Sequence, residues 1–257
     1  MAIASRAPGV GELLRDWRQR RRMSQLDLSV EASVSSRHLS FVETGRSKPS
    51  RELVLHLAEH LDVPLRERNA LLLAAGYSPA FRETPLDAGE LAPVRAAIDR
   101  VLGAHEPFPA VVVDRRSDLV SANAALLQPP CNTLRVSLHP DGLAPRIANL
   151  AEYGAHLLLR LDRQAALSGD PDLVALGEEL RGYQGVTAGP AMAVDAAALV
   201  FVPLVLRGDA GELTFFSTLT TFGTALDITV AELAIEAFFP ADDHTASVLR
   251  EGWQTGG

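Results

Sequence analysis

The segment that most constrains the fold is residues 24–45, which reads SQLDLSVEASVSSRHLSFVETG. Its apolar residues recur at helical spacing on either side of a polar stretch, which predicts two short helices joined by a tight turn. Ser24 with Asp27 three residues later has the spacing of a capping box, Ser35 can cap the second helix, and Gly45 can end it. Four apolar residues are spaced to pack the two helices together: Leu28, Val34, Leu39 and Val42.

The second helix of this pair keeps one face that has no core to fill. That face carries Ser36, Arg37, Ser40 and Phe41. Small hydroxyls, an arginine and one apolar side chain suit the base edges of a DNA major groove, so we interpret these four residues as base-reading. The alternative is that the two helices simply belong to an all-helical domain, where the same spacing is common.

Basic residues flank the helix pair on both sides. Residues 15–22 read RDWRQRRR and end just before it, and Arg46, Lys48 and Arg51 follow it. Cations at both ends of a reading helix can reach DNA phosphates. We therefore expect the three residues after the helix, together with Ser35 at its start, to contact the phosphate backbone.

The helix pair resembles the helix-turn-helix domain of the lambda-repressor-like, or XRE-type, regulators. The residues that carry the resemblance are Gln25, Leu28, Val34, Leu39, Ser40, Val42, Glu43 and Gly45. The resemblance implies that Gln25 contacts a phosphate and that Glu43 is structural. The chain departs from the family at Ser29, where alanine is frequent, and at Ser33, where glycine is frequent. If Ser33 adopts a left-handed conformation, the cost is about 1–2 kcal/mol.

Charge divides the chain into two parts of opposite sign. Residues 1–76 hold 12 Lys+Arg and 9 Asp+Glu, a net charge of +3. The full chain has 24 Lys+Arg and 32 Asp+Glu, so the remainder holds 12 basic and 23 acidic residues, a net charge of −11. Only the first part is attracted to a polyanion. We also find neither an apolar run long enough to cross a membrane nor a secretory leader, and Cys131 is the only cysteine, so we expect a cytoplasmic protein without a disulfide.

The periodicity predicts a five-helix bundle followed by a mixed domain. We place the helices of the bundle at residues 9–22, 24–32, 35–44, after Pro49 with Ser50 as its cap, and from Pro64 to Gly76, and a linker at residues 77–90. For the domain of residues 91–257 we predict strands at 108–114, 118–122, 199–206, 213–221 and 234–239, and helices at 91–104, 143–168, 171–181 and 241–250. A hairpin turn is predicted at residues 208–211. The fold class is therefore α+β, with one antiparallel sheet covered by helices on one face.

The second domain resembles the ligand-binding domain of MmyB-like transcription regulators. The resemblance rests on DRRSDLVSAN (114–123), NTLRVSLHPDGLAP (132–145) and STLTTFGTALDITVAELAIEAFFPAD (217–242). It implies a PAS-like fold that binds a small apolar effector, with fatty acids the favoured class. The family tends to have tryptophan where this chain has Leu150, which points to a different ligand.

The residue types of this domain also fit an apolar pocket with a few polar groups. Candidate lining residues are Phe201, Phe215, Phe216, Phe238 and Phe239, and Arg135 or Arg146 could hold a ligand carboxylate. The alternative is that the phenylalanines pack the sheet against its helices and that the arginines are surface-paired.

No catalytic or metal-binding motif is evident in the sequence. His139 precedes a Pro-Asp-Gly turn and fits local turn structure, and Asp242 and Asp243 fit the start of a helix. We therefore expect a transcription regulator that binds double-stranded DNA, as a homodimer because one small reading helix buries little DNA surface. Two alternatives remain open: an enzyme that acts on the small molecule, and a protein-interaction adaptor.

Overall fold

The computed structural model describes residues 8–123, 131–186 and 201–255. Its contacts divide the chain into two compact units, whose main boundary lies between Thr84 and Pro85. The first unit is helical, and the second combines helices with one sheet. The predicted α+β class is confirmed.

Five helices build the first unit: α1 (Val10–Arg20), α2 (Gln25–Glu31), α3 (Ser36–Glu43), α4 (Arg51–His60) and α5 (Leu65–Ala74). The predicted serine caps are confirmed. Ser24 accepts a hydrogen bond from the backbone N–H of Asp27, and Ser35 and Ser50 accept equivalent bonds from the third residue after each of them. Each cap satisfies an N–H group that the first turn of a helix leaves without a partner.

Three predicted helix boundaries in this unit were wrong. Helix α5 ends at Ala74 rather than at Gly76, which has a positive φ of 81°. The first helix ends at Arg20 rather than at residue 22, because Arg22 has a positive φ of 56°. Pro64 is the residue before α5 rather than its first helical residue, because its ψ of 152° is extended.

A single apolar core holds the five helices together. Its buried residues include Leu14, Trp17, Leu28, Leu39, Val42, Val54, Leu57, Leu61, Leu71 and Leu72, and the predicted contact residue Val34 packs on it half-buried. Burial of each large apolar side chain contributes about 1.5–3 kcal/mol. The predicted packing of the two helices of residues 24–45 is thus confirmed.

The turn between α2 and α3 contains the left-handed residue considered from the sequence. Ser33 has a φ of 53°, and Gly45, just after α3, has a φ of 71°. Glycine adopts such angles without steric cost, whereas serine does not. The departure from glycine at Ser33 therefore falls on a position where glycine would be favoured.

The second unit contains a five-stranded sheet in which all neighbours are antiparallel, in the order β2-β1-β5-β4-β3. The strands are β1 (Ala110–Val113), β2 (Leu119–Ala122), β3 (Leu204–Gly208), β4 (Gly211–Thr221) and β5 (Ala234–Pro240). The helices are α6 (Ala92–His105), α7 (Thr133–Leu138), α8 (Leu150–Ser168), α9 (Pro171–Arg181), α10 (Ile228–Ala231) and α11 (Asp243–Thr255), with two 3₁₀ turns at Gly89–Leu91 and Ala144–Arg146. The predicted hairpin turn lies between β3 and β4.

Two predicted elements of this unit were wrong. Residues 143–149 are not the start of α8, because Ile147 forms an isolated bridge with Leu206 at the sheet edge. The predicted strand 199–206 begins only at Leu204, since Pro203 has no N–H to donate, and its first two residues lie outside the described part of the chain. The short helices α7 and α10 were not predicted.

The expectation that helices cover only one face of the sheet was also wrong. Helix α6 packs on the face of Ala110, Val112 and Ile235, whereas Arg160 of α8 bonds to Glu236 on the other face.

Candidate functional site

The four candidate base-reading residues all lie on α3. Ser36 and Arg37 are exposed, and Ser40 and Phe41 are half-buried. The Arg37 guanidinium lies over the Phe41 ring, 5.4 Å from its centroid, in a cation–π contact that restrains the arginine at the surface. The Ser36 hydroxyl is 2.8 Å from that of Ser29 on α2, so part of its hydrogen-bonding capacity is used within the unit.

The candidate phosphate contacts lie at the start of α2, at the start of α3, just after α3 and at the start of α4. Arg46 and Lys48 are exposed and Arg51 is half-buried, while the Ser35 hydroxyl caps α3. The Lys48 ammonium lies 5.2 Å from the centroid of the Tyr77 ring. Gln25 at the start of α2 donates a 2.8 Å hydrogen bond to Glu43. Their contacts with DNA stay predictions.

A buried polar network around Glu43 ties α1, α2 and α3 together. Glu43 is only 2% exposed. Its two carboxylate oxygens accept hydrogen bonds from Nε and a terminal nitrogen of Arg18, at 2.7 and 2.8 Å, as well as the bond from Gln25. Arg15 approaches to 3.6 Å. Because both charges are paired and bonded, the network fixes α3 relative to its neighbours. Glu43 thus has the structural position that the resemblance to the XRE-type domain implied.

The charges of this network set the ionisation of Glu43. Burial raises the pKa of Glu43, but the hydrogen bonds from Arg18 and Gln25 and the charges of Arg18 and Arg15 outweigh burial, so the pKa lies below its ordinary value. The carboxylate is therefore ionised in the folded unit at neutral pH.

This lowered pKa predicts that Glu43 stabilises the helical unit in a pH-dependent way. The contribution is complete above the unfolded value of about 4.3 and is lost as the pH falls through the lower pKa of the folded state. Urea unfolding of the native protein and of Glu43→Gln at pH 7 and pH 3 checks this. We expect the stability difference between the two to be large at pH 7 and to narrow at pH 3. A difference that does not change with pH would contradict the assignment.

The second unit contains a cavity of about 170 Å³ between the sheet and the helices. Its lining is mainly apolar: Pro109, Val111, Leu134, Leu143, Leu157, Leu204, Leu206, Phe215 and Phe238. Its polar lining residues are Thr133, Ser137, Tyr153, Arg160 and Glu236. An apolar cavity with a few convergent polar groups has the form of a small-molecule site.

The strongest polar feature of the cavity is an ion pair between α8 and β5. Arg160 donates to the two carboxylate oxygens of Glu236 at 2.9 and 3.4 Å, and Ser217 adds a bond of 3.1 Å. Glu236 is 6% exposed. Burial and the charge of Glu236 raise the pKa of Tyr153, so its phenol is neutral and can donate a hydrogen bond.

The structure brings only part of the predicted pocket together. Phe215 and Phe238 line the cavity. The other three phenylalanines are not among its lining residues. They form a row of ring contacts in which Phe216 lies 5.4 Å from Phe201 and 5.2 Å from Phe239, centroid to centroid. Phe201 also precedes β3 instead of lying in a strand, and it is 47% exposed.

Neither candidate arginine lines the cavity. Arg135 donates to both carboxylate oxygens of Glu179, at 2.8 and 2.7 Å, which is the surface-paired alternative. That pair and the Tyr183 hydroxyl lower the pKa of Glu179 to about 2. Arg146 is exposed in a 3₁₀ turn. The arginine of the cavity is Arg160, which was not predicted. One available signal was Glu236, an isolated acid within the apolar run AIEAFF.

His139 and Asp242 make the local contacts expected from the sequence. The His139 ring nitrogen accepts a hydrogen bond from the N–H of Asp141 two residues later. Asp242 accepts one from the N–H of Thr245 at the start of α11, which lowers its pKa. Among the described residues, no group of three or more His, Cys, Asp or Glu side chains could hold a metal ion. Nor does that part of the chain contain a helix with the length and apolarity needed to span a bilayer.

A helix-turn-helix unit joined to a unit with a ligand-sized apolar cavity defines the class of ligand-regulated transcription regulators. Comparison with known families identifies the particular one. A helix-turn-helix domain matches residues 10–71, and the MmyB-like transcription regulator ligand binding domain matches residues 94–251. The chain belongs to the MmyB-like transcription regulators, and the resemblance found in the sequence is confirmed.

The other comparisons add little. No curated protein matches the chain. Among solved structures, an RNA-binding light-oxygen-voltage receptor is 14% identical, and the match covers 94% of this chain and 60% of the receptor chain. Its TM-score of 0.22 is too low to support an argument about fold or function.

Proposed function

We propose that the protein binds a pseudo-palindromic DNA operator as a homodimer and that a small apolar molecule in its second unit controls this binding. The observation that carries the proposal is the free face of α3, where Arg37 is exposed and is restrained by Phe41. An arginine in a major groove can donate two hydrogen bonds to one guanine. The buried Glu43 network supports the proposal because it holds this face rigidly.

The dimer and the operator follow from the size of the reading element. α3 has eight residues, and one such helix reads few base pairs. Two copies on half-sites about 34–36 Å apart, or a multiple of that, would double the contacts. A ligand that binds one arrangement of the dimer more tightly than another would shift DNA affinity.

The effector would occupy the cavity between sheet and helices. Its mainly apolar lining supports a fatty-acid-like molecule, that is, one with an apolar chain and a polar end. The five-stranded antiparallel order β2-β1-β5-β4-β3 supports the PAS-like interpretation of this unit. We further propose a cytoplasmic location and no catalytic role, since both matched families are those of regulators.

The test separates base reading from phosphate contact. DNA fragments from upstream of the protein's own gene would be tested by gel shift, and the bound fragment would then be used in fluorescence anisotropy. Arg37→Ala should weaken the free energy of DNA binding by about 1–3 kcal/mol, which is roughly a 5- to 150-fold loss of affinity. It should also relax the sequence preference at one base-pair position. Lys48→Ala should weaken binding to all sequences alike and reduce the salt slope by about one contact.

Three outcomes would contradict this proposal. If Arg37→Ala leaves both affinity and sequence preference intact, α3 does not read bases through this residue. If no fragment is bound in a salt-dependent way, the helical unit serves another partner, such as a protein. A single-copy complex on one half-site would contradict the dimer.

A further inference from the structure

We propose that the cavity of the second unit selects a short amphiphile whose head group is uncharged and both donates and accepts hydrogen bonds. This inference rests on the proposed ligand-binding function and names the chemistry of the ligand. It follows from three properties of the cavity: its charge balance, its free hydrogen-bonding groups and its size.

The two charged side chains at the polar end of the cavity cancel each other. Arg160 and Glu236 neutralise each other through two hydrogen bonds, and Glu236 is 6% exposed. A ligand carboxylate would have to share Arg160 with Glu236 and would lie close to the negative charge of Glu236. A ligand ammonium would meet the opposite problem at Arg160. The Arg160 side chain is 34% exposed and that of Glu236 is 8% exposed, so water screens the repulsion least on the Glu236 side. A charged head group beside this neutral pair is therefore disfavoured in either sign.

Free hydrogen-bonding groups nevertheless remain at this end. Tyr153 is 6% exposed, lines the cavity and feels the charges of both members of the pair. Its hydroxyl makes no hydrogen bond to any other residue in the described part of the chain. Because Tyr153 lines the cavity and its hydroxyl bonds no protein group among the described residues, a ligand in the cavity can bond to it. A primary amide would accept a hydrogen bond from Tyr153 or Arg160 and donate one to Glu236. An alcohol would do the same with fewer bonds.

The size of the cavity limits the chain length. About 170 Å³ is close to the volume of an engineered apolar cavity of about 150 Å³ that binds benzene. Benzene has six non-hydrogen atoms, so the enclosed part of a ligand is small, on the order of seven non-hydrogen atoms. Octanamide and 1-octanol are little larger than this, whereas most of a long-chain acid would lie outside the cavity.

The experiment uses the full-length protein and four probes that share one chain: octanamide, 1-octanol, octanoate and octylamine. Isothermal titration calorimetry at pH 8 keeps octanoate ionised. We expect octanamide to bind at least tenfold more tightly than octanoate and octylamine, with 1-octanol between them. Octanoate or octylamine binding as tightly as octanamide would overturn the proposal, and so would the absence of binding by both uncharged probes.

Two variants test the groups that set this preference. Glu236→Gln leaves Arg160 without its counter-charge. The binding affinity of octanoate should therefore rise at least tenfold relative to that of octanamide. Tyr153→Phe keeps both charges and should weaken octanamide several-fold while leaving the order of the charged probes unchanged. If Glu236→Gln folds, as judged by circular dichroism, and the preference is unchanged, the pair does not select the head group. The wild-type series decides the proposal even if that variant does not fold.

DNA affinity measured in the same preparations distinguishes the two proposals. If DNA is bound but no uncharged probe is, the inference on the ligand fails alone. If octanamide is bound and DNA affinity does not change, the inference stands and ligand control of DNA binding fails.

Discussion

Replacement of Glu43 by alanine should lower the free energy of unfolding of the helical unit by about 3–5 kcal/mol. The reason is the charge that remains. Arg18 is only 8% exposed, and it would lose both hydrogen bonds to its counter-ion and keep only the one to the Met23 carbonyl. Gln25 would lose its acceptor as well. A loss of this size is a large fraction of the stability of an ordinary domain.

Urea unfolding with hydrogen–deuterium exchange on peptides from α1, α2 and α3 measures this effect where it arises. Glu59→Ala is the matched control, since Glu59 is an exposed glutamate on α4 of the same unit. We expect the control to change stability by less than about 0.5 kcal/mol. Equal effects of the two substitutions would mean that the buried network does not hold the helices together.

The helical unit was largely predictable because its signals are local. A serine at a cap, an apolar residue at helical spacing and a glycine at the end of a helix each act within a few residues. Ser24, Ser35 and Gly45 therefore gave the positions of α2 and α3 directly from the sequence. The partners of Glu43 were beyond this reasoning, since Arg18 is 25 residues away and only the packing of α1 on α3 brings it close.

The cavity was less predictable because its residues are far apart in the sequence and meet only in the folded chain. Residue type favoured the five phenylalanines, but the register of β4 on β5 decides which of them face the cavity. That register places Phe216 against Phe239 in a ring stack, whereas Phe215 and Phe238 reach the lining. Arg160 and Glu236 are 76 residues apart and meet only across the helix–sheet interface. Isolated acids in apolar strands are thus better clues to such a site than arginines near turns.

Gly11 and Gly103 should respond in opposite directions to the same substitution. Both glycines lie in helices, α1 and α6, where alanine is intrinsically favoured by up to about 1 kcal/mol. A Cβ at Gly11 would stand 2.2 Å from the carbonyl oxygen of Val42 and 2.9 Å from that of Glu43. A Cβ at Gly103 would meet nothing within 4 Å. The neighbours of Gly11 are backbone atoms of α3, so they cannot move aside as a side chain would.

We therefore expect Gly11→Ala to destabilise the helical unit by about 1–3 kcal/mol, because α1 must shift away from α3. Gly103→Ala should stabilise its own unit by about 0.5–1 kcal/mol. Thermal and urea unfolding of the two variants and of the native protein measure the sign of each change in the free energy of unfolding. Gly11→Ala should also reduce DNA affinity, because the carbonyl groups that it displaces belong to the C-terminal turn of α3. Gly103→Ala should leave DNA affinity unchanged. Stabilisation by Gly11→Ala would mean that α1 and α3 are not held at this close approach, and the rigid presentation of Arg37 would then need another explanation.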